Sequence, residues 1–444
     1  MLIILTTHPI QYQVPLWQAL AADGRVPFEV WYLTDHAVKP TMDREFGKAF
    51  AWDLGRGTLE GYSHRFLKVN KDWTLHPTAF RGVRLEEDLR PLFKQAGATV
   101  LWVQGWQKLA YWQAVSQAKQ AGMQVWLRGE SNDLAPTPWW KWQVKRVLLG
   151  QLFRKVDRFL CIGSANRRLY RKLGVPEAKL GSAPYFVDNE RFARQAEALR
   201  PMRQAIRAEW GIPENAFCVL FCGKFIPKKR PLDLVKAVNQ LNQAGGLRGD
   251  RPIHILFVGS GELGAELRES VNVVYDADSA STTSSSGTSA SSDTLLSGIR
   301  PPTYGASPSA PTSALRPPTS DFRASSASFA GFLNQTEISR AYVAADCLAL
   351  PSDHGETWGL VINEAMASGL PCVASDACGS AEDLVKPLSN GAVFELGDTA
   401  GLASSIKTIS NGREPNAIRQ KIDNYKIDAA LMSIHRGYVE LRLS

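Results

Sequence analysis

Glu356 and Glu364 stand eight positions apart, with Gly359 between them. An ionised carboxylate accepts hydrogen bonds from the vicinal hydroxyls of a sugar or a ribose, which suits this pair better than acid–base work on an anion. Gly359, Leu360 and Val361 head a predicted helix. The free N–H groups and partial positive charge of a helix start hold a phosphate through the main chain alone. Phosphate and hydroxyls together point to a nucleoside-diphosphate sugar. The competing reading is an ordinary helix start in which Glu364 is a solvated first-turn acid favoured by the helix dipole; spacing alone does not separate the two.

The elements around the pair fix its setting. An apolar run, Cys347 to Leu350, reads as a strand that stops at Pro351, and a polar loop carrying Glu356 follows. The helical pattern resumes near Leu360 and ends at Gly369 and Pro371, before a second strand-like run at Cys372 to Ala374. Further runs at Leu2–Leu5, Phe28–Leu33, Val100–Val103, Gln124–Leu127, Arg158–Ile162, Phe217–Cys222 and Ile253–Val258 alternate with helical stretches. That alternation predicts parallel βαβ units, with ligands at the C-terminal ends of the strands.

The run from His354 to Pro371 resembles, over eighteen consecutive positions, the signature of the retaining GT-B glycosyltransferases of family 4, the group 1 glycosyltransferases. The resemblance implies an α/β GT-B fold of two Rossmann-like domains facing a cleft. It also implies hexosyl transfer from a nucleoside-diphosphate sugar to an acceptor hydroxyl, with retention and without a metal or cofactor. Glu356 then orients the sugar and Glu364 the ribose. The segment Gly223 to Pro231 is similar to the family's donor-phosphate loop, so Lys224 and Lys229 are expected to hold the diphosphate, Lys224 standing where relatives carry arginine. An ammonium supplies that charge without the planar fork of a guanidinium. Gly259 and Gly261 resemble a second donor-side loop, and Gly331, Phe332 and Leu333 the loop that packs on the base.

On the N-terminal side the family's Gly-rich loop is missing, and His8 and Gln11 occupy its place. Trp106 and Glu130 follow later strands and are expected to face the acceptor with them. Residues 1–190 are read as the acceptor domain, with a last helix over 427–444 returning to it, and residues 200–426 as the donor domain. Tyr185 to Arg200 is the expected linker, in which Tyr185 and Phe186 replace the Asn-Gly of relatives. Residues 279–328 are read as a disordered insertion, because only eleven of the fifty fall outside Ser, Thr, Ala, Pro and Gly. At its border Asp276 and Asp278 mimic a metal-binding Asp-x-Asp, a reading set aside because lysines and a helix start already answer the diphosphate.

Charge is uneven: residues 1–200 carry 29 Lys+Arg against 18 Asp+Glu and eleven of the thirteen tryptophans, whereas the remainder carries 22 against 25. Residues 138–149 mix tryptophan, aliphatic and basic side chains at helical spacing. They fit either a face resting on an anionic membrane, as a lipid-linked acceptor would favour, or a partly buried helix with snorkelling lysines. No recognition motif supports nucleic acid. Six cysteines lack metal-ligand spacing, no apolar run has the length a bilayer needs, and the first residues read as a strand. The expected location is cytoplasmic, with a peripheral place on the inner membrane face. A nucleotide-sugar 2-epimerase and a non-catalytic sugar-nucleotide-binding partner are the alternatives on the same fold; the partners are a nucleotide sugar and a glycan or lipid-linked acceptor.

Overall fold

The computed structural model describes residues 1–35, 41–43, 48–50, 57, 59–74, 79–249, 251–282, 325–385, 391–411 and 415–443. The first sheet contains β1 (Leu2–Thr6), β2 (Phe28–Tyr32), β3 (His64–Phe66), β4 (Val100–Val103), β5 (Gln124–Leu127), β6 (Arg158–Cys161) and β7 (Leu180–Ser182), in the order β3-β2-β1-β4-β5-β6-β7. All its pairs are parallel. The second contains β8 (Phe217–Cys222), β9 (Ile253–Val258), β10 (Asn272–Asp276), β11 (Ser326–Phe329), β12 (Cys347–Leu350), β13 (Cys372–Ser375) and β14 (Gly391–Phe394). It is also wholly parallel, in the order β10-β11-β9-β8-β12-β13-β14.

Continuous apolar strands form because both faces of each sheet are covered. In β1, Ile3 and Leu5 join one core layer and Leu2 and Ile4 the other. In β8, Phe217, Val219 and Phe221 alternate with Cys218, Leu220 and Cys222 in the same way. The named helices are α1 (Val14–Asp23), α2 (Trp139–Phe153), α3 (Ser164–Lys172), α4 (Asn189–Leu199), α5 (Ser339–Ala344), α6 (Leu360–Ala367) and α7 (Ile427–Leu443). Although α7 ends the chain, its Ala430, Leu431, Ile434 and Tyr438 complete the N-terminal core beside Val14 and Trp17 of α1. Among the described residues no helix is long and apolar enough to cross a membrane.

Two boundaries differ from expectation. The stretch read as a linker to Arg200 folds as α4, whose first turn is capped by Asp188 accepting from the Arg191 N–H at 2.9 Å. Phe192 and Ala196 pack α4 into the region of α5 and α6, so the crossover shortens to the residues around Tyr185–Asp188. The return crossing runs alongside it, Val187 bridging Lys426. The expected insertion over 279–328 is also too wide: Ala277–Thr282 form a helix and Ser326–Phe329 is β11, while residues 283–324 lie outside the described residues.

Candidate functional site

Both sheets reverse strand order at one point, and there the loops diverge to leave a crevice. In the second sheet this point lies between β8 and β12. The loop after β8 carries Lys229 in a short turn, Pro227–Lys229, and the loop after β12 carries Glu356. The two loops are pinned together by Asp353 N–H donating to the Lys228 carbonyl at 2.8 Å. Lys229 Nζ donates to Glu356 Oε2, both side chains being mostly buried, at 16% and 13% exposure, and the Ser352 hydroxyl lies 3.5 Å from the same oxygen.

Gly359 caps α6 at φ 91°, a left-handed conformation natural to glycine, and an added Cβ would meet Leu350 Cδ2 at 2.7 Å. The helix start is thereby turned toward the cleft between Glu356 and Glu364. Glu364 is half-buried and accepts from the Tyr342 hydroxyl at 2.6 Å. Burial pushes its carboxyl up to about 6, while the Tyr342 hydrogen bond and the Arg191 guanidinium pull the other way.

A cleft of about 710 Å³ gathers these groups. Gln11 and Tyr12 line it from the N-terminal domain, Tyr185, Asp188 and Arg191 from the crossover and α4, and Lys229, Glu356, Gly359, Leu360, Val361 and Glu364 from the C-terminal domain. Seven of the sequence-predicted residues therefore meet in one place. Gly223, Lys224, Gly259 and Gly261 do not line this cleft; they lie in the adjoining loops after β8 and β9. Those loops are stitched backbone to backbone, Gly223 N–H to Val258 and Gly259 N–H to the Gly331 carbonyl. A Cβ at Gly259 would fall 2.0 Å from Gly223 O, which explains the glycine there. Gly331, Phe332 and Leu333 follow β11 beside them, Leu333 packing on the core.

The acceptor-side expectations divide. His8 Nδ1 lies 2.9 Å from the Thr7 hydroxyl after β1, and Glu130 reaches the cleft wall by accepting from the Tyr12 hydroxyl at 2.9 Å. Trp106 is corrected: its ring is buried against Gly129, Phe153 and Tyr170, so it packs the core instead of facing an acceptor. Asp276 and Asp278 both pair with Arg268, at 2.6 and 3.0 Å.

Sequence reading missed Tyr12, Tyr185 and Arg191. Tyr185 stacks on Trp358 with ring centroids 5.6 Å apart, meets Tyr12 at 5.4 Å and carries the buried Arg128 guanidinium at 4.7 Å. The signal was the replacement of the family's Asn-Gly by Tyr185 and Phe186. Arg191, on α4, donates to the Gln335 carbonyl and side chain at 2.9 and 2.7 Å.

Residues 325–427 match the family model for Glycosyl transferases group 1. That segment carries β11, Glu356, α6 and Glu364. Sulfoquinovosyl transferase SQD2 of Arabidopsis thaliana is 35% identical over 114 residues, 24% of this chain and 22% of that protein. D-inositol 3-phosphate glycosyltransferase of a Nocardioides species is 29% identical over 221 residues, 50% of this chain and 39% of that protein. The chain thus aligns with less than half the length of these curated relatives. A glycosyltransferase structure from Rickettsia africae aligns with a TM-score of 0.64 at 12% identity, over 99% of this chain and 98% of that one. The structure of Anabaena HepE in complex with UDP and glucose aligns at 0.58 and 14%, over 99% of each chain. The two parallel-sheet domains share the GT-B architecture of these glycosyltransferases.

Proposed function

We propose that the protein is a retaining glycosyltransferase of family 4, moving a sugar from a nucleoside-diphosphate sugar to an acceptor hydroxyl in the synthesis of a cell-surface polysaccharide or glycolipid. The observation that carries this reading is the shared cleft at the strand-order reversal: Lys229 paired to Glu356, the start of α6 behind them, and Glu364 beyond. Lys229 and Lys224 answer the charge that develops on the departing diphosphate, assisted by the N–H groups at Gly359, Leu360 and Val361, with no metal required. When the diphosphate takes Lys229, Glu356 is released to accept from sugar hydroxyls. Glu364 accepts from the ribose, the glycine loops and Phe332 and Leu333 flank the base, and Gln11, His8 and Glu130 face the acceptor. Retention follows if the departing phosphate oxygen receives the acceptor proton on the face it leaves.

The structures of Anabaena HepE in complex with UDP and with UDP-glucose support the donor class. Six buried cysteine thiols fit a reducing, cytoplasmic setting. The test is thermal stabilisation by UDP, GDP, ADP and their sugar conjugates. A ligand at about 100 times its dissociation constant adds roughly 2.7 kcal/mol. Stabilisation by one nucleotide family, lost in Glu364→Ala, is expected; no stabilisation by any of them overturns the donor assignment.

A further inference from the structure

The helix α2 is apolar on two faces. Its inner stripe, with Leu149, Leu152 and Phe153, joins the N-terminal core, and Trp142 packs partly buried against it. On the opposite stripe Trp140, Val144, Val147 and Leu148, spaced i, i+4, i+7 and i+8, are exposed by 53, 52, 66 and 57%, and Trp139 at the helix start by 76%. A surface helix ordinarily turns one apolar stripe inward, so a second contiguous one marks an interaction face.

Charge identifies what covers it. From Leu134 to Val156 there is no acidic residue, while Lys141, Lys145, Arg146, Arg154 and Lys155 are all cationic. A groove of about 590 Å³ runs beside α2, with Arg146, Arg154 and Lys179 around Val147, Val175 and Pro176. Lys141 Nζ sits 5.4 Å from the Trp140 ring centroid and Lys145 Nζ 5.3 Å from that of Trp142, placing ammonium groups at the ring faces. Tryptophan, aliphatic and basic side chains on one helix are the composition of a segment lying in a membrane interface. A second copy of the chain would oppose the same cations across a two-fold contact, so self-association is disfavoured.

We propose that α2 docks the N-terminal domain on bilayers containing anionic phospholipid, with Trp139, Trp140, Val144, Val147 and Leu148 seated at the headgroup boundary and Arg146 and Arg154 on the phosphates. The geometry also brings the surface to the cleft. Asn132 donates to the Thr357 carbonyl of the cleft wall at 3.1 Å, and α2 begins seven residues later, within about 25 Å of chain.

The test uses the full-length protein with phosphatidylcholine vesicles, with and without phosphatidylglycerol. Co-sedimentation with the anionic vesicles alone, a blue shift of tryptophan fluorescence and loss of binding at high salt are expected. Reversing Lys141, Arg146 and Arg154 to glutamate together should weaken binding on the order of a hundredfold or more. Val147→Asp with Leu148→Asp should abolish it, with the melting temperature and nucleotide stabilisation unchanged. Absence of vesicle binding, or equal binding to neutral vesicles, overturns the proposal. So does a wild-type dimer that the paired aspartates dissociate, because the face then belongs to a second copy.

Discussion

Replacing Lys229 with methionine keeps the stem of the side chain and removes one charge from the cleft. Two effects separate. Glu356, 13% exposed, loses its pairing cation and, among the described residues, keeps the Ser352 hydroxyl at 3.5 Å, a distance too long for a strong bond. Breaking a buried ion pair by removing one partner costs about 3–5 kcal/mol, and a cleft-facing pair that water reaches should lose less, about 1–3 kcal/mol. On turnover, the closest analogy is the loss of a positioned group that stabilises developing negative charge, about 2.7–4 kcal/mol or 10²–10³-fold. The assay is steady-state transfer or donor hydrolysis over a donor titration. The role proposed for Lys229, on charge that grows as the diphosphate departs, predicts that kcat falls further than KM rises. Lys228 is the control: it carries the same charge, is exposed, and makes its loop contact through its carbonyl. Lys228→Ala should stay within about twofold. Adding Glu356→Gln to Lys229→Met should restore stability but not turnover. Equal losses in Lys228→Ala and Lys229→Met, or turnover little changed in Lys229→Met, would refute the assignment.

Burial raises the Glu364 carboxyl from 4.5 to about 6 in the folded protein, so the native state holds its proton more tightly than the unfolded chain. Its contribution to stability is therefore largest below about pH 4.5 and is lost as pH rises through about 6, a swing of about 2 kcal/mol that Glu364→Gln should flatten in urea unfolding between pH 4 and 8. Affinity for a nucleotide sugar, whose diphosphate does not titrate in this range, should fall as pH drops below about 6 in the wild type and stay flat in Glu364→Gln, read by calorimetry. Tyr185→Ala removes a ring stacked on Trp358 and covered by Arg128; a loss of about 3–5 kcal/mol should lower the melting temperature in calorimetric scans.

The strands recognised from sequence are interior ones, and the unrecognised ones are chiefly at the edges. β1, β2, β4, β5 and β6, and likewise β8, β9, β12 and β13, are covered on both faces and read as mainly apolar runs, interrupted by Glu29 in β2 and His254 in β9. The edge strands β3, β7, β10 and β14 are short or half-exposed and offer at most three apolar residues in a row. β11 is interior but reads Ser-Ala-Ser-Phe, so composition merged it with the Ser/Ala-rich segment before it. Its place is held by polar contacts, Ser328 donating to the Trp210 carbonyl at 2.6 Å and meeting His254 Nε2 at 2.9 Å. In the candidate cleft, the residues of one local motif, Glu356 through Glu364, stand together because a single loop and helix start carries them. Tyr12, Tyr185 and Arg191 come together only after the domains are folded, across separations that no local pattern encodes. Trp106 failed for the converse reason: a loop position after a strand does not reveal whether its ring turns to the cleft or into the core.

The most direct measurement follows the anomeric proton by NMR while the protein consumes a nucleotide sugar that stabilises it, with water as acceptor. Release of the nucleoside diphosphate with a sugar whose first-formed anomer keeps the donor's configuration is the predicted result, slowed at least a hundredfold in Lys229→Met. First formation of the opposite anomer, accumulation of a 2-epimer, or no turnover despite nucleotide binding would contradict the account.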